Sequence, residues 1–389
     1  MRIGFDLRPL QLSPGVMGIG VYIKNLIANI SSIDKENQYF FLVLKDREFP
    51  EVNLSPEFQY ELIEIPSASN PYLNVIKDKF TLGSIVSKYS LDLIHFTSPL
   101  ELKLNFDLGK YNNRSVLTIH DLTPLFYGDL IFRKKRRLLK PLFHILLRNI
   151  KKAGHLISVS DNTKKDLIER LKIPPEKITV THLAADDCFR AIDDEYYLDE
   201  IKSKYNLPDK FVMYLGGFSL HKNLNSLIEA MVLLQVEYRL DTPLVIAGTK
   251  DSFHLPELEK RISELGLTDR VYFPGFIPTV DLPAVYNLAS VFVFPSMYEG
   301  FGLPPLEAMK CGTPTIVSNT SSLPEIAGSS AIVCNSRDIE SLAESMHRIL
   351  SSVEIADDLK KKGILRAMDF SWEKCARETL DVYKNLSCQ

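Results

Sequence analysis

The sequence predicts an α/β protein built from two doubly wound domains, each a parallel sheet with helices on both faces. Three observations carry this. Short continuous runs of Val, Ile, Leu and Phe alternate with segments of helical period almost from end to end, as expected for strands buried on both faces. The alternation breaks once, over residues 186–208, which are polar, charge-rich and poor in apolar runs. A length of 389 residues also exceeds what one core ordinarily organises, so two cores are the economical reading.

In the first series, strands are expected at 1–6, 39–44, 60–65, 92–96, 115–119, 155–159 and 178–182. Helical patterns lie between several of them, at 19–31, 73–89, 131–152 and 161–171. Met1-Arg2-Ile3-Gly4-Phe5-Asp6 reads directly as the first strand, with no charged-then-apolar leader. The break at 186–208 is read as the interdomain linker. The second series opens with Phe211-Val212-Met213-Tyr214-Leu215-Gly216 and continues at 243–247, 270–273, 290–294, 315–317 and 331–333. Two doubly wound domains follow from this order.

Composition narrows the function classes. Hydrophobic residues at 45% and charged residues at 24% fit an ordinary globular protein. A formal charge of −3 argues against a general nucleic-acid binder. The five cysteines (Cys188, Cys311, Cys334, Cys375, Cys388) show no CxxC spacing, which favours reduced thiols in a cytoplasmic protein over a disulfide framework or a zinc site. No run of about 18 apolar residues occurs, so no membrane span is expected.

The most informative stretch is Tyr298-Glu299-Gly300-Phe301-Gly302-Leu303-Pro304-Pro305-Leu306-Glu307. It follows the apolar strand Val291-Phe292-Val293-Phe294 and leads into a helix. Two glycines let peptide N–H groups approach a ligand closely. Two prolines suit a first helical turn, where missing donors are harmless. The exposed N–H groups and positive dipole end of such a helix attract an anion. An anion cradle framed by carboxylates suits a ligand bearing both phosphate and hydroxyls, as a sugar nucleotide does. A purely structural reading also fits: Glu307 as an acid in the first helical turn, Glu299 as a solvated loop carboxylate.

Other segments repeat the pattern of a strand end feeding a helix start. Gly217-Phe218-Ser219-Leu220-His221-Lys222-Asn223 follows strand 211–216, with Asn223 as the expected N-cap and Lys222 as a cation beside the helix opening. The Walker spacing is absent, and a plain turn with a solvated lysine is the competing reading. Residues 15–20 are expected as a loop in which Gly18-Ile19-Gly20 presents backbone donors; this run is too short for a dinucleotide fingerprint. His120-Asp121 directly follows strand 115–119. Ligands of open α/β sheets sit at that end of the strands, so His120 can exchange protons or contact a hydroxyl, or serve structure alone. His95 also ends a strand and is the weaker candidate. Arg133-Lys134-Lys135-Arg136-Arg137 with Lys140, Arg148, Lys151 and Lys152 forms a basic amphipathic stretch over 133–152, suited to anionic lipid or simply a solvated helix face.

Taken together, these segments resemble the retaining glycosyltransferases of family 4, whose fold is GT-B: two Rossmann-like domains facing each other across a cleft. The resemblance covers nearly the whole chain in the expected order. Glu299 to Glu307 is similar to the family's E-x7-E element, and Gly18-Ile19-Gly20-Val21-Tyr22 to its G-[IV]-G-x-Y loop. His120-Asp121-Leu122 resembles its HD element, and His221-Lys222-Asn223 its phosphate lysine. Val271-Tyr272-Phe273-Pro274-Gly275-Phe276 resembles the strand and loop beside the nucleoside base, and Phe370-Ser371-Trp372 the late F-S-W turn. One departure is Gly217, where many relatives carry an arginine; Lys222 would then bear the phosphate charge with help from His221 or Lys250.

The resemblance implies an acceptor-side domain over 1–190, a nucleotide-sugar domain over 191–370, and a final helix over 371–389 crossing back to the first domain. It implies that Glu307 binds the ribose hydroxyls and Glu299 the donor sugar. Gly300, Phe301, Gly302 and Leu303 would hold the hexose and diphosphate, Lys222 the phosphates, and Gly18, Ile19 and Gly20 the diphosphate from the other domain. Phe276 would lie beside the base, and His120 near donor sugar and acceptor. Glu299 and His120 are the expected catalytic residues. No Asp-x-Asp triplet occurs, so no metal and no cofactor are expected. The expected reaction is hexosyl transfer from a nucleotide diphosphate sugar, GDP-mannose ranked first, to a saccharide or polyprenyl-linked acceptor in surface polysaccharide synthesis. The expected place is the cytoplasm, peripheral to the inner face of the membrane. A sugar-nucleotide 2-epimerase and a non-catalytic sugar-nucleotide-binding membrane-surface protein are the alternatives.

Overall fold

The computed structural model describes residues 1–12, 18–66, 81–100, 106–127, 140–249 and 253–387. They form two compact units, Met1–Leu183 with Ser371–Gln389, and Ala184–Phe370. Each is an α/β unit around one parallel sheet.

The first sheet has seven strands: β1 (Arg2–Asp6), β2 (Gln38–Leu44), β3 (Tyr60–Ile65), β4 (Leu93–Phe96), β5 (Ser115–Ile119), β6 (His155–Ser158) and β7 (Ile178–Val180). Their spatial order is β3-β2-β1-β4-β5-β6-β7, all pairs parallel. One face of this sheet buries Phe40, Leu42, Ile94, Phe96, Leu117 and Ile119 against Leu82, Ile85 and Val86 and against Phe143, Leu146 and Ile150. Each such side chain contributes about 1.5–3 kcal/mol of burial. The second sheet runs β10-β9-β8-β11-β12-β13, again wholly parallel. Its strands are β8 (Val212–Leu215), β9 (Leu244–Ala247), β10 (Val271–Gly275), β11 (Val291–Phe294), β12 (Thr315–Ser318) and β13 (Ile332–Cys334). All four residues of β11 are at most 1% exposed, which is why its sequence is an unbroken Val-Phe-Val-Phe. In each sheet the winding direction reverses once, between β1 and β4 and between β8 and β11. Ligands of this architecture bind at that reversal, beyond the carboxyl ends of the strands.

The stretch 186–208 differs from the expected linker. It carries a helix, Glu195–Lys204, whose N-cap Asp194 accepts from the Tyr197 N–H. Ile201 is buried, and Asp281 accepts from Lys204 Nζ at 2.7 Å and Tyr205 OH at 2.6 Å. A charged, one-anchor helix held by polar contacts leaves little apolar periodicity to read. The chain passes from the first unit to the second at residues 183/184 and returns at 370/371. The returning helix Trp372–Ser387 packs on the helix Gly18–Ile33.

Of the basic stretch 133–152, residues 133–139 lie outside the described residues. The helix Lys140–Ile150 turns Phe143, Leu146, Leu147 and Ile150 inward and leaves His144, Ile145 and Arg148 exposed. Among the described residues, no helix is long and apolar enough to cross a membrane.

Candidate active site

In the second unit, β8 and β11 are hydrogen-bonded neighbours, so the loops leaving them emerge side by side at the reversal. Lys222 ends the 3-10 turn Leu220–Lys222 after β8, and Glu299 lies on the loop after β11. The Met297 N–H donates to the His221 carbonyl at 2.7 Å and ties the two loops together. Lys222 Nζ then donates to Glu299 Oε1 at 2.6 Å and stands 5.6 Å from the centroid of the Phe294 ring. Their side chains are only 18% and 15% exposed. Neither is the solvated group that the structural readings required.

Asn223 departs from expectation. It stands at the N-cap of the helix Leu224–Val236 but makes no side-chain cap bond to it, and its backbone is left-handed at φ 60°. Its amide instead donates to the Ser336 carbonyl at 2.7 Å and the Pro295 carbonyl at 3.3 Å, while Oδ1 accepts from Ser226 Oγ. The side chain thus ties the segments after β11 and β13 to the Ser226 hydroxyl instead of capping the helix backbone.

The glycine-rich loop is held by two serines that sequence reasoning did not single out. Ser321 Oγ accepts from the Glu299 N–H at 2.9 Å, and Ser322 Oγ donates to the carbonyls of Glu299 and Phe301 at 3.1 and 2.6 Å. The polar run Ser318-Asn319-Thr320-Ser321-Ser322 at the end of β12 was the available signal. Phe301 is buried and meets Phe370 edge-on at 5.9 Å; Gly300 is buried as well. Gly302 adopts φ 114°, and a Cβ there would sit 2.8 Å from Leu323 Cδ2, so this glycine is dictated by backbone conformation. The helix Leu303–Lys310 then starts with prolines in its first turn, presenting its positive end beside the loop.

Glu307 is the fifth residue of that helix, and the first turn holds no acid. The expected first-turn role is therefore corrected: the carboxylate is too far along for the dipole to explain it. It is 8% exposed and accepts from Tyr286 OH at 3.0 Å. Burial lifts its pKa to about 7, the tyrosine bond opposing and nearby Asp186 adding to the rise. Tyr286 was not anticipated, since nothing in its local sequence marks it. At the edge of the same sheet, β10 ends in Gly275 at φ 83°, with open space where a Cβ would be, and Phe276 follows at 48% exposed. Lys250 lies outside the described residues, and His221 Nδ1 is 3.2 Å from Ser219 Oγ.

In the first unit, Gly18, Ile19 and Gly20 form the opening turn of the helix Gly18–Ile33 rather than part of a loop; Gly18 and Ile19 are exposed and Gly20 is buried. His120 follows β5 directly and is half-buried. Its Nε2–H donates to the Thr97 carbonyl at 2.8 Å. A carbonyl only accepts, so in the neutral ring the other nitrogen, Nδ1, carries a bare lone pair. Burial lowers the pKa to about 4, the Thr97 bond opposing, which keeps the ring neutral at physiological pH. Asp121 Oδ1 accepts from the Thr123 N–H. His95 lies within β4 at 0% exposed, bonded through Nε2 to Thr118 and through Nδ1 to Tyr383; its role is architectural.

Each unit thus gathers its candidates at the carboxyl ends of its own strands: Gly18, Ile19, Gly20 and His120 in one, Lys222, Glu299, the glycine loop, Glu307 and Phe276 in the other. Residues 16–187 match the model described as Glycosyltransferase Family 4, and residues 199–366 that of Glycosyl transferases group 1. Over 285 residues the chain is 30% identical to the O-antigen chain mannosyltransferase B of Escherichia coli, covering 72% of this chain and 73% of that protein. The chain belongs to glycosyltransferase family 4. It is also 32% identical over 280 residues to the serotype-specific mannosyltransferase WbdA of Escherichia coli; that match takes in 70% of this chain but spans only 34% of WbdA's length. The structure of Anabaena Alr3699/HepE in complex with UDP-glucose superposes with a TM-score of 0.74 at 14% identity, over 99% of this chain and 100% of that one. At that identity the likeness speaks for the fold alone, which is GT-B.

Proposed function

We propose that the chain transfers a mannosyl group from GDP-mannose to a hydroxyl of a saccharide or lipid-linked saccharide in surface polysaccharide synthesis, retaining the anomeric configuration. The observation that supports this most is the Lys222–Glu299 pair, set at the β8/β11 reversal beside a glycine loop and a helix start. Mannosyl transfer is favoured by the two relatives named for it. A nucleotide-sugar donor is in keeping with the UDP-glucose complex of a protein sharing the fold.

In this reading, donor cleavage leaves negative charge on the diphosphate. Lys222 and the peptide N–H groups at the opening of the helix Leu303–Lys310 receive it, already in place before reaction. Removing one preorganised donor of this kind lowers turnover on the order of 10²–10³-fold. Glu299, fixed through its peptide by Ser321 and Ser322, takes donor-sugar hydroxyls. Glu307 takes the ribose hydroxyls, and Phe276 borders the base. His120 offers its bare Nδ1 to a sugar or acceptor hydroxyl; at a pKa of about 4 it acts as an acceptor rather than an acid. The opening turn at Gly18, Ile19 and Gly20 would offer its backbone N–H groups to the diphosphate. The leaving diphosphate itself accepts the acceptor's proton. In this reading Lys222 and the helix opening carry the diphosphate charge without a metal, and the basic stretch 133–152 would rest on an anionic membrane surface.

The test is a panel of nucleotide sugars screened by thermal shift, followed by turnover with saccharide acceptors in EDTA. GDP-mannose should give the largest shift and an α-linked product. Release of a free epimer from donor alone, or binding without any turnover, would sink the transferase reading.

A further inference from the structure

Tyr22 is fully buried in the helix Gly18–Ile33, two residues beyond Gly20. A phenylalanine would serve if packing were its only task. The hydroxyl is nevertheless present and lies 2.7 Å from Thr118 Oγ1 on β5. Thr118 and His120 are two apart, so they fall on the same side of the extended chain. The ring of Tyr22 meets the ring of His120 edge to face, centroids 4.8 Å apart and planes at 79°. One side chain therefore touches β5 at both points, its hydroxyl on Thr118 and its ring on His120.

The far side of this strut is built as carefully. Thr118 Oγ1 also bonds His95 Nε2 at 2.7 Å, and His95 Nδ1 bonds Tyr383 OH at 2.6 Å. Tyr383 belongs to the helix Trp372–Ser387, and Trp372 of that helix stands 6.4 Å from the Tyr22 ring. A chain of four buried polar side chains thus runs Tyr22, Thr118, His95, Tyr383. Buried chains of this kind are rigid when every member is satisfied.

We propose that Tyr22 is a positioning residue for His120. Its ring and the Thr97 carbonyl together fix the imidazole rotation, so that the bare Nδ1 faces one direction. Because Tyr22 shares its helix with Gly18 and Gly20, it also sets the distance between the glycine opening and His120. The inference rests on the transferase reading for its kinetic arm, but the orientation of His120 is measurable without turnover.

The experiment compares Tyr22→Phe, Tyr22→Leu and His120→Ala in the full-length chain. Long-range ¹H–¹⁵N spectra of ¹⁵N-histidine-labelled protein read the His120 tautomer, and steady-state kinetics separate kcat from donor KM. Tyr22→Leu should mix the His120 tautomers and lower kcat on the order of tenfold or more, with donor KM nearly unchanged. Tyr22→Phe keeps the ring and guards against a variant that fails to fold. It should retain the tautomer but broaden the signal, with a several-fold loss of kcat. Wild-type His120 signals and wild-type kcat in both Tyr22 variants overturn the proposal. If His120→Ala turns over normally, the role of His120 in transfer falls. The tautomer spectra of Tyr22→Leu still decide whether Tyr22 orients it.

Discussion

Lys222 Nζ and Glu299 Oε1 stand 2.6 Å apart although 77 residues separate them in the chain. Two loops from adjacent strands make this meeting, and each charge is the other's nearest counter-ion while both are largely withdrawn from water. Removing either leaves its partner without compensation.

Lys222→Ala should therefore abolish tight donor binding and lower stability by about 1–3 kcal/mol while the fold stays cooperative. Glu299→Ala should lower kcat far more than nucleotide affinity. Isothermal titration with GDP and GDP-mannose, beside kinetics, separates the two. Unchanged donor affinity in the lysine variant contradicts its place in the site.

Gly302 holds a φ of 114° that side chains with a Cβ rarely adopt. Gly302→Ala should cost on the order of 1–3 kcal/mol through backbone strain, because the Leu323 methyl it would meet can swing aside. Displacement of the loop should weaken donor binding at the same time. Guanidinium unfolding beside donor titration checks both, and a variant equal to wild type in each removes the conformational argument.

Glu307 links stability to pH. Its carboxyl titrates near 4.5 in a model peptide and at about 7 in the fold. Between those values the folded state holds the proton more tightly, so stability falls as pH rises from 4.5 to 7 and then levels off. The full effect is roughly 3 kcal/mol. Glu307→Gln should lose this slope relative to wild type in unfolding curves taken between pH 4.5 and 8. If ribose hydroxyls bond the ionised form, donor affinity in the wild type should also rise through pH 7 and flatten in the variant.

His95 has the opposite sign. Burial lowers its pKa to about 3, with the neighbouring His120 acting in the same direction. The unfolded imidazole takes a proton near 6.5 that the folded one refuses, so stability is complete above 6.5 and drains away as pH falls toward 3. Histidine NMR titration should find both His95 and His120 still neutral at pH 5.5. A midpoint near 6.5 for either would show that its ring is hydrated.

Most strands were legible as short apolar runs, although β3 (Tyr60–Ile65) carries Glu61 and Glu64; Val291-Phe292-Val293-Phe294 has no other sensible place than a sheet covered on both faces. The helix Glu195–Lys204 was not, since it is anchored by Ile201 and by polar bonds to Asp281 rather than by an apolar stripe. Within the site, Glu299, Gly302 and Lys222 could be picked out by type and by position after strands. Their partners could not. Ser321 and Ser322 act across loops, and Tyr286 across two helices, whose approach depends on the tertiary fold, and the amide of Asn223 bonds two distant carbonyls without capping the helix backbone. Residue type suggests a chemistry, whereas the bond that tunes it belongs to the tertiary fold.

The helix Trp372–Ser387 completes the first unit although it is made after the whole of the second. During translation, then, His95 waits for Tyr383 until residues 184–370 have already left the ribosome. The second unit is one continuous stretch of chain, whereas the first joins segments made before and after it.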